Sequence, residues 1–556
     1  MNRFFELGDE DSDETVYASF ERTRRRFGQS PFIHIPKGCP GGPLTLTYEQ
    51  AGLRAEGIAD RYRRAGYGRG HHIALLLESR PEFYLHWLAL NAVGATLVPI
   101  GADLVDDEIR MLLQHGDVDL AVCLSSRLAS LERAVQGGCE AQIASLGSRD
   151  EPFPPAREPR SDGAASAATA MVFTSGSTGA PKGCLLSNEY FLTFGRWYRD
   201  LGGRCALRAG CERFITPLPP NHVNALAFSS MGAIVTGGCI IQLDRFRSGQ
   251  WWEVVQETGA TVMHYLGVMP GMLLNLPEDP RERRHALRFG FGGGVRAADH
   301  QRFEERFGVP LIEAWAMTET GGAGTISTHS GTRHVGTGCI GRPAAQYSEA
   351  MVVDEQDRPL APGLIGELVV RASGPDPRPG FFCGYYRNPE ATELAWRGGW
   401  LHTGDLVRQN EEGCYFFVGR RKQIVRRSGE NISAAEVESV LAACRNVRQA
   451  AVVPVPDEIR EEEVFACVVP GGGLTPSQEA AEGLLQQMAE HLSYFKLPGY
   501  IAFVGQLPTT ATQKLRYGAI IELARSLMSQ RGPEFFDVRA AKRAHRASQG
   551  RPPHSP

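Results

Sequence analysis

The segment TSGSTGAPKG (residues 174–183) follows the apolar run MVF (171–173) and combines glycines, hydroxyl side chains and one lysine. A buried strand that leads into a glycine-rich turn lets backbone N–H groups approach an anion closely. Hydroxyl and ammonium groups add donors that suit phosphate oxygens. The segment therefore predicts a phosphate-binding loop. Its candidate contacts are Thr174, Ser175, Gly176, Ser177, Thr178 and Lys182.

This loop differs from the P-loop of nucleotide kinases. A P-loop has Ser or Thr directly after its lysine, because that hydroxyl binds Mg²⁺. Here Lys182 is followed by Gly183, so the metal-binding hydroxyl is missing. We expect Lys182 to act as a point charge beside a phosphate in a different class of enzyme.

The composition limits the class of protein. The chain has 556 residues, of which 42% are hydrophobic and 22% are charged, and its formal net charge is −4. More than one domain is expected at this length, and the charge gives no electrostatic basis for binding nucleic acid. The acidic N-terminus does not resemble a signal peptide, and the most apolar stretch (85–100) is interrupted by polar residues, Gly and Pro. We expect no membrane span.

The cysteines indicate a reducing compartment. There are twelve, scattered without any C-x-x-C pair. A secreted disulfide framework would be denser, and a zinc site would show paired spacing. We therefore expect reduced thiols and a cytoplasmic protein.

Alternating strand and helix patterns predict an α/β fold with largely parallel, layered sheets. Residues 48–65 have the pattern of an amphipathic helix, and 73–77 form a continuous apolar run that is typical of a strand buried on both faces. Near residue 419 the pattern changes to a compact α+β arrangement, with a helix at 434–443. We expect a large N-terminal domain at 1–418, a hinge at 419–425, a small mobile C-terminal domain at 426–535 and a disordered basic tail at 536–556.

Five further segments accompany the loop: AWAMTETGG (314–322), GELVVR (366–371), GWLHTGDL (399–406), GRRKQIVRRSGENIS (419–433) and LPTTATQKLRYG (507–518). Together with 174–183 they resemble, in the same order, the motifs of the adenylate-forming superfamily of acyl-CoA synthetases, luciferases and nonribosomal adenylation domains. The resemblance covers about residues 15–525. Its details are most similar to the crotonobetaine/carnitine–CoA ligase-like branch.

The resemblance implies a role for each matched residue. Thr318 would contact the α-phosphate of ATP, and Glu319 would bind Mg²⁺, for which a carboxylate is a suitable hard ligand. Asp405 would bind the ribose hydroxyls. Lys514 would bridge the substrate carboxylate and the α-phosphate during adenylation.

The hinge segment carries further implied roles. Arg420 would contact ribose or phosphate, and Lys422 would be the residue about which the C-terminal domain rotates. The turn Ser428-Gly429-Glu430 would line the tunnel for the pantetheine arm of coenzyme A.

The acyl and adenine pockets are matched as well. In LPPNHVNALAF (218–228), His222 is a candidate lid over the adenylate. Gly293 and Gly294 resemble the turn beside adenine and the acyl carboxylate, and Ala314 and Trp315 would adjoin adenine.

Several positions depart from the usual motifs. Ala316 stands where Gly is common at the floor of the acyl pocket, and an added methyl group should shorten that pocket. We expect a short or medium acyl group. Gln513 replaces a usual Gly, and Gly419 and Gln423 replace common acidic residues near the hinge, which puts the energetics of rotation in question.

The resemblance implies an ATP-dependent acyl-CoA ligase that uses ATP, Mg²⁺ and coenzyme A. Its partners would be a small carboxylic acid and these cofactors, without nucleic acid, and a homodimer is compatible with the sequence.

Three alternatives share the fold. An adenylation enzyme that loads a carrier-protein thiol is one, although amino-acid-activating members usually place Asp near His222, and residues 217–232 contain no acidic residue. A luciferase-like oxygenase is another. A non-catalytic nucleotide-binding regulator would be expected to lose Lys514, Glu319 or Asp405, and all three are present.

Overall fold

The computed structural model describes residues 14–136, 138–147, 152–159, 167–174, 181–295, 297–420, 424–508, 515 and 517–548. They form two compact units. The larger unit holds most of the described chain up to Gly419. The smaller unit holds the chain from Arg420 onward, together with Asp103–Met111 and the pair Pro181 and Lys182. The change of unit lies beside the predicted hinge at 419–425, and the domain boundaries themselves stay a prediction.

The strands are numbered in the order in which they occur along the chain. They are β1 (Pro31–Ile35), β2 (Leu44–Thr47), β3 (His72–Leu76), β4 (Thr96–Pro99), β5 (Leu120–Leu124), β6 (Gln142–Leu146), β7 (Ala170–Thr174), β8 (Lys182–Leu186), β9 (Arg213–Thr216), β10 (Cys239–Gln242), β11 (Val262–Leu266), β12 (Phe289–Gly293), β13 (Leu311–Trp315), β14 (Ile326–Ser327), β15 (Cys339–Pro343), β16 (Ser348–Val353), β17 (Ile365–Ala372), β18 (Gly384–Tyr385), β19 (Leu401–Gln409), β20 (Tyr415–Arg420), β21 (Ile424–Arg427), β22 (Glu430–Ser433), β23 (Val447–Asp457), β24 (Glu461–Pro470), β25 (Tyr500–Phe503) and β26 (Phe535–Asp537).

The α-helices follow the same order. They are α1 (Val16–Phe27), α2 (Tyr48–Ala65), α3 (Pro81–Val93), α4 (Asp106–His115), α5 (Leu128–Val135), α6 (Asn188–Asp200), α7 (Ser230–Thr236), α8 (Trp251–Thr258), α9 (Val268–Leu274), α10 (Ala297–Phe307), α11 (Pro389–Ala395), α12 (Ala434–Ala443), α13 (Gln478–Ala489), α14 (Tyr517–Gln530) and α15 (Arg539–Ser548).

The larger unit contains two long sheets. The first has the order β16-β17-β19-β20-β15-β14-β13-β12-β11-β9-β10-β1-β2, and the second has the order β18-β8-β7-β4-β3-β5-β6. In the first sheet β9, β11, β12 and β13 are mutually parallel, so their carboxyl ends lie at one edge. Ligands of α/β proteins commonly bind at this kind of edge.

Local signals explain several elements. Helix α2 spans the predicted 48–65, and its N-terminus is closed by a capping box between Thr47 and Gln50. It ends at Gly66, which adopts the left-handed conformation with φ +90°. All five residues of β3 are buried, as the continuous apolar run at 73–77 predicts. The predicted α/β fold class is therefore confirmed.

The smaller unit is an α+β arrangement around a sheet of order β22-β21-β24-β25-β26, with β23 paired to β24. Alternate residues of β24 supply two apolar cores, because successive side chains of a strand point to opposite faces. Val464, Ala466 and Val468 belong to one core, and Phe465 and Cys467 belong to the other. Helix α12 occupies the predicted 434–443.

The prediction of a disordered tail at 536–556 is wrong for residues 536–548. Strand β26 pairs with β25, and α15 follows it. Composition gives no sign of the cause. The inward face of this segment contains the fully buried Val538 and the buried Lys542. Residues 549–556 lie outside the described residues.

A search of the described helices found none with the length and apolar character needed to cross a membrane.

Candidate active site

A buried glutamate shapes the glycine turn at the end of β12. Glu313 Oε2 accepts a hydrogen bond from the Gly294 amide at 3.0 Å, and Tyr265 Oη donates to Glu313 Oε1 at 2.5 Å. A Cβ on Gly293 would lie 2.4 Å from the Ala314 carbonyl oxygen, so only glycine allows this approach. The structure thus brings the predicted Gly293, Gly294 and Ala314 together. Sequence reasoning missed Glu313, although its place inside a buried strand was a signal.

Burial raises the pKa of Glu313 above its ordinary value, and the Tyr265 hydroxyl acts in the opposite direction. The carboxyl group is fully engaged in holding the turn. We therefore assign it to support of the site and not to contact with a substrate.

Trp315 and Asp405 lie against each other. Trp315 Nε1 donates to Asp405 Oδ2 at 2.8 Å, and both residues are buried. Trp315 ends β13 and Asp405 lies on β19 of the same sheet. Because a carboxylate has several acceptor positions, it can accept from the indole and from sugar hydroxyls together. The residues predicted to contact adenine and ribose are therefore neighbours.

Two tyrosines hold the Thr318–Glu319 segment. Tyr385 Oη donates to Glu319 Oε1 at 2.9 Å, and Tyr190 Oη donates to the Thr318 carbonyl oxygen at 2.9 Å. The Phe382 amide donates to the Glu319 carbonyl oxygen at 3.0 Å. Sequence reasoning missed both tyrosines, because their distance along the chain gives no sign of this proximity.

Tyr385 is a stable proton donor. Burial raises its pKa far above the ordinary value, and the neighbouring Glu319 raises it further. The phenol therefore stays neutral and orients the Glu319 carboxyl group by a hydrogen bond. Glu319 itself is buried.

The two strands that flank the phosphate loop are connected to this segment. Strand β18, which carries Tyr385, pairs with β8, with Tyr385 opposite Cys184. Thr174 is the last residue of β7, and its Oγ1 lies 3.8 Å from Cys184 Sγ. Lys182 begins β8. Ser175, Gly176, Ser177 and Thr178 lie outside the described residues.

His222 precedes an irregular helix. Its carbonyl oxygen accepts from the Leu226 amide at 2.9 Å, and a π-helical turn, Asn224–Ser229, leads into α7. Such turns are frequent at functional sites. Ser229 Oγ lies 2.6 Å from Nδ1 of the buried His264, and burial lowers the pKa of His264 to about 3. His264 is therefore a neutral support of this turn, and His222, which is only partly buried, stays the candidate lid.

The Ser428–Gly429 turn belongs to the smaller unit. Ser428 has φ +52° and Gly429 has φ +84°, and Arg427 pairs with Glu430 across the β21–β22 hairpin. Two consecutive residues with positive φ form a tight hairpin turn that matches the twist of its strands. Glu430 therefore begins β22 at a fixed position.

The side chain of Arg420 and the whole of Lys422 and Lys514 lie outside what the structure describes.

Among the described residues, donor atoms of His334, Glu412 and Cys414 lie within 4.8 Å of one another. However, Arg342 Nε donates to Cys414 Sγ at 3.3 Å, and its guanidinium also lies 3.9 Å from Glu412. A positive charge already occupies this cluster, which disfavours a metal ion there. Glu319 stays the predicted Mg²⁺ ligand.

The residues present fit ATP and Mg²⁺. Glu319 is a carboxylate held by a neutral phenol, which is a suitable arrangement for a hard cation. Asp405 offers acceptors for hydroxyl groups, and the absence of a side chain at Gly293 lets the turn approach the Ala314 carbonyl oxygen closely.

Comparison with known proteins gives the family. The sequence pattern of the AMP-binding enzyme family matches residues 20–386, and that of the AMP-binding enzyme C-terminal domain matches residues 436–514. The chain belongs to the AMP-binding enzyme family. A crotonobetaine/carnitine–CoA ligase of Salmonella paratyphi A is 30% identical over 503 residues, which cover 86% of this chain and 94% of that enzyme. The corresponding ligase of Proteus mirabilis is 29% identical over 499 residues, with the same coverage.

Solved structures agree on the fold. An o-succinylbenzoate CoA synthetase of Bacillus subtilis has a TM-score of 0.78 at 20% identity, over 92% of this chain and 98% of that one. An amide bond synthetase of Marinactinospora thermotolerans has a TM-score of 0.76 at 24% identity, over 91% and 99%. A malonyl-CoA ligase bound to methylmalonyl-CoA and AMP has a TM-score of 0.71 at 25% identity, over 86% and 96%. The predicted family and fold class are confirmed.

Proposed function

We propose that this enzyme is an ATP-dependent acyl-CoA ligase, an acid–thiol ligase that joins a carboxylic acid to coenzyme A through an acyl-adenylate. The observation that carries the proposal is the direct hydrogen bond between Trp315 and Asp405 beside the glycine turn, since these are the residues predicted to hold a nucleotide. The relatives that match most of the chain are named CoA ligases, which supports the same reaction.

In the first step the substrate carboxylate attacks the α-phosphorus of ATP, and the bond to pyrophosphate breaks. Thr318 and Lys514 would stabilise the charge that develops at the α-phosphate, while Lys182 and the loop would hold the departing pyrophosphate. Glu319 would hold Mg²⁺, and the bound ion would neutralise part of the phosphate charge. Trp315 and Asp405 would fix the nucleoside, so that the phosphate is presented in one orientation.

In the second step a thiol attacks the acyl carbon, and AMP departs with the electrons of the acyl–oxygen bond. The Ser428–Glu430 turn would guide the thiol. Rotation of the C-terminal domain about Lys422 would withdraw Lys514 between the steps, which is a common way to assemble two sites in one cleft.

The acid is proposed to be short or medium in length. Ala316 and the close approach of Gly293 to β13 support a shallow acyl pocket, because protein interiors leave little unfilled space. His222 would cover the adenylate. A cytoplasmic location and a homodimer stay predictions; the twelve free cysteines support the former.

A panel of carboxylic acids with ATP and Mg²⁺, scored for AMP and for thioester, tests the function. We expect one or more short or medium acids to give AMP and acyl-CoA in equal amounts, and only when CoA is present in excess. AMP release without acyl-CoA, together with acylation of a phosphopantetheine carrier protein, would favour the carrier-protein alternative. No AMP with any acid would contradict the proposal.

A further inference from the structure

Three ionisable side chains form a buried group inside the smaller unit. Arg427 Nε is 2.8 Å from both oxygens of Glu463, and Lys542 Nζ is 3.0 Å from Glu463 Oε1. The exposed fractions of the Arg427, Glu463 and Lys542 side chains are 5%, 0% and 1%. Charges this deep are costly to bury unless they are paired. The arrangement is therefore a fixed feature of the fold and not a surface ion pair.

The group is also enclosed by neutral partners. Lys542 Nζ donates to the Leu497 carbonyl oxygen, and the Tyr494 ring lies 5.5 Å from Lys542 Nζ and 5.6 Å from Arg427 Cζ. Gly499 leaves space for Glu463, since a Cβ there would lie 2.3 Å from Glu463 Cγ. The Glu463 side chain is thus held by Arg427 and Lys542 and packed closely against Gly499.

One end of this group is continuous with the Ser428–Gly429 turn. Arg427 is the residue immediately before Ser428, and it ends β21. The Ser428 amide donates to the Arg460 carbonyl oxygen at 3.0 Å, and the strained φ of +52° at Ser428 must be held by such neighbours. Glu463, two residues into β24, therefore fixes the residue from which the turn departs.

The other end lies in the C-terminal helix. Lys542 is one turn into α15, the helix that composition alone suggested would be disordered. Its amide donates to the Val538 carbonyl oxygen at 2.9 Å, so the Lys542 side chain is carried by a formed helix. Helix α15 is thus connected to the Ser428–Gly429 turn through the carboxylate of Glu463.

We infer that the Arg427–Glu463–Lys542 group positions the Ser428–Glu430 turn for the thiol step, and that α15 is a positioning element for thioester formation. The inference rests on the proposed function, from which the role of the turn is taken. It predicts that damage to the group slows the second step and leaves the first step intact.

The test compares the two steps in the full-length enzyme. In Lys542→Met, the rate of acyl-CoA formation from preformed acyl-adenylate should fall about 10-fold or more, as expected for loss of a hydrogen bond to a charged group. Pyrophosphate release with acid and ATP should stay within about twofold of the parent enzyme. Arg543→Met is the matched control, because Arg543 lies next in the same helix and is exposed; both of its rates should be unchanged.

Two further readouts separate positioning from general damage. Lys542→Gln keeps an N–H donor and should recover part of the second-step rate. Hydrogen exchange at the Ser428–Glu430 amides should accelerate in Lys542→Met while that of β25 does not. Equal losses in both steps, or an unchanged second step in a folded Lys542→Met, would overturn the inference. If no acid supports either step but exchange at the turn still responds, the proposed function fails and the structural coupling stands.

Discussion

The carboxylates of the two units are held in opposite ways. In the larger unit Glu319 and Asp405 accept from neutral donors, the hydroxyl of Tyr385 and the indole N–H of Trp315. In the smaller unit Glu463 lies between the guanidinium group of Arg427 and the amino group of Lys542. A neutral donor orients a carboxylate without cancelling its charge, whereas a cation cancels it.

This difference agrees with the predicted binding roles of Glu319 and Asp405 and with a structural role for Glu463. A carboxylate that must attract Mg²⁺ or accept hydrogen bonds from ribose needs its negative charge, and a neutral partner does not cancel that charge. A carboxylate that holds the fold is best neutralised, since unpaired buried charge is costly. Glu367 on β17 follows the second pattern: it accepts from His402 and from Gly404, and it lies 3.4 Å from Arg397. A cationic partner thus indicates a structural acid, whereas neutral donors hold both the predicted binding acids and the supporting Glu313.

The largest effect is expected at Lys514, which lies outside the comparison of the protein's own carboxylates. Lys514→Ala should reduce acyl-adenylate formation by at least about 10²–10³-fold, because a charge that stabilises the transition state is lost. Formation of thioester from preformed acyl-adenylate should change little. Single-turnover assays of each step provide the measurement, and equal loss in both would contradict the assigned role.

Glu319→Gln comes next and tests the first half of the comparison. The amide keeps the shape but removes the charge that Tyr385 leaves available, so adenylation should fall about 10²-fold and need more Mg²⁺. The control is Glu349→Gln, a half-buried acid paired with Arg371. Titration of the rate with Mg²⁺ is the measurement. A variant with an unchanged Mg²⁺ requirement would show that Glu319 does not serve the metal.

The buried group of the smaller unit should appear in the pH dependence of stability. Burial and the nearby Arg427 lower the pKa of Lys542 to about 7, although Glu463 opposes this; Arg460 adds to the lowering. Lysine in the unfolded chain titrates near 10.4, so above pH 7 the unfolded state holds a proton that the folded state lacks, and stability rises with pH.

Between pH 7 and pH 9 this rise should amount to about 2–3 kcal/mol in the parent enzyme, and Lys542→Met should lack it. Urea unfolding of both proteins at several pH values measures the difference. Burial by itself would raise the pKa of Glu463, but Lys542 and Arg427 outweigh burial and lower it to about 2, so Glu463 does not titrate in this range. Parallel pH curves would contradict the account of the group.

The smallest effects belong to the neutral donors. Tyr385→Phe and Trp315→Phe each remove one hydrogen bond, so adenylation should slow by about 2- to 10-fold. For Trp315→Phe the change should be in KM for ATP, and for Tyr385→Phe in the Mg²⁺ requirement. Tyr386→Phe is the neighbouring control, since its hydroxyl bonds Asp117 instead. A loss as large as that of Glu319→Gln would mean that these donors contact the substrate directly.

Sequence reasoning succeeded where chemistry is local. The motifs around Gly293, Trp315 and Asp405 named residues that the structure places together, because each motif lies on a strand of one sheet. It missed Tyr385, whose contact with Glu319 depends on a strand far along the chain, and it missed Glu313 although the place of Glu313 inside a buried strand was a signal. The tail was misjudged for the same reason: a basic, proline-containing composition gives no sign that one lysine, Lys542, meets a buried carboxylate. Roles that fall on Ser175–Thr178, Lys422 and Lys514 stay predictions.

The central claim, activation of a carboxylate at the α-phosphate of ATP, is tested most directly by isotope transfer. A substrate acid labelled with ¹⁸O in both carboxyl oxygens would be converted with ATP, Mg²⁺ and CoA, and the AMP analysed by mass spectrometry. The account predicts one ¹⁸O in each AMP formed and none in pyrophosphate. Unlabelled AMP, or the appearance of ADP with labelled phosphate, would contradict it.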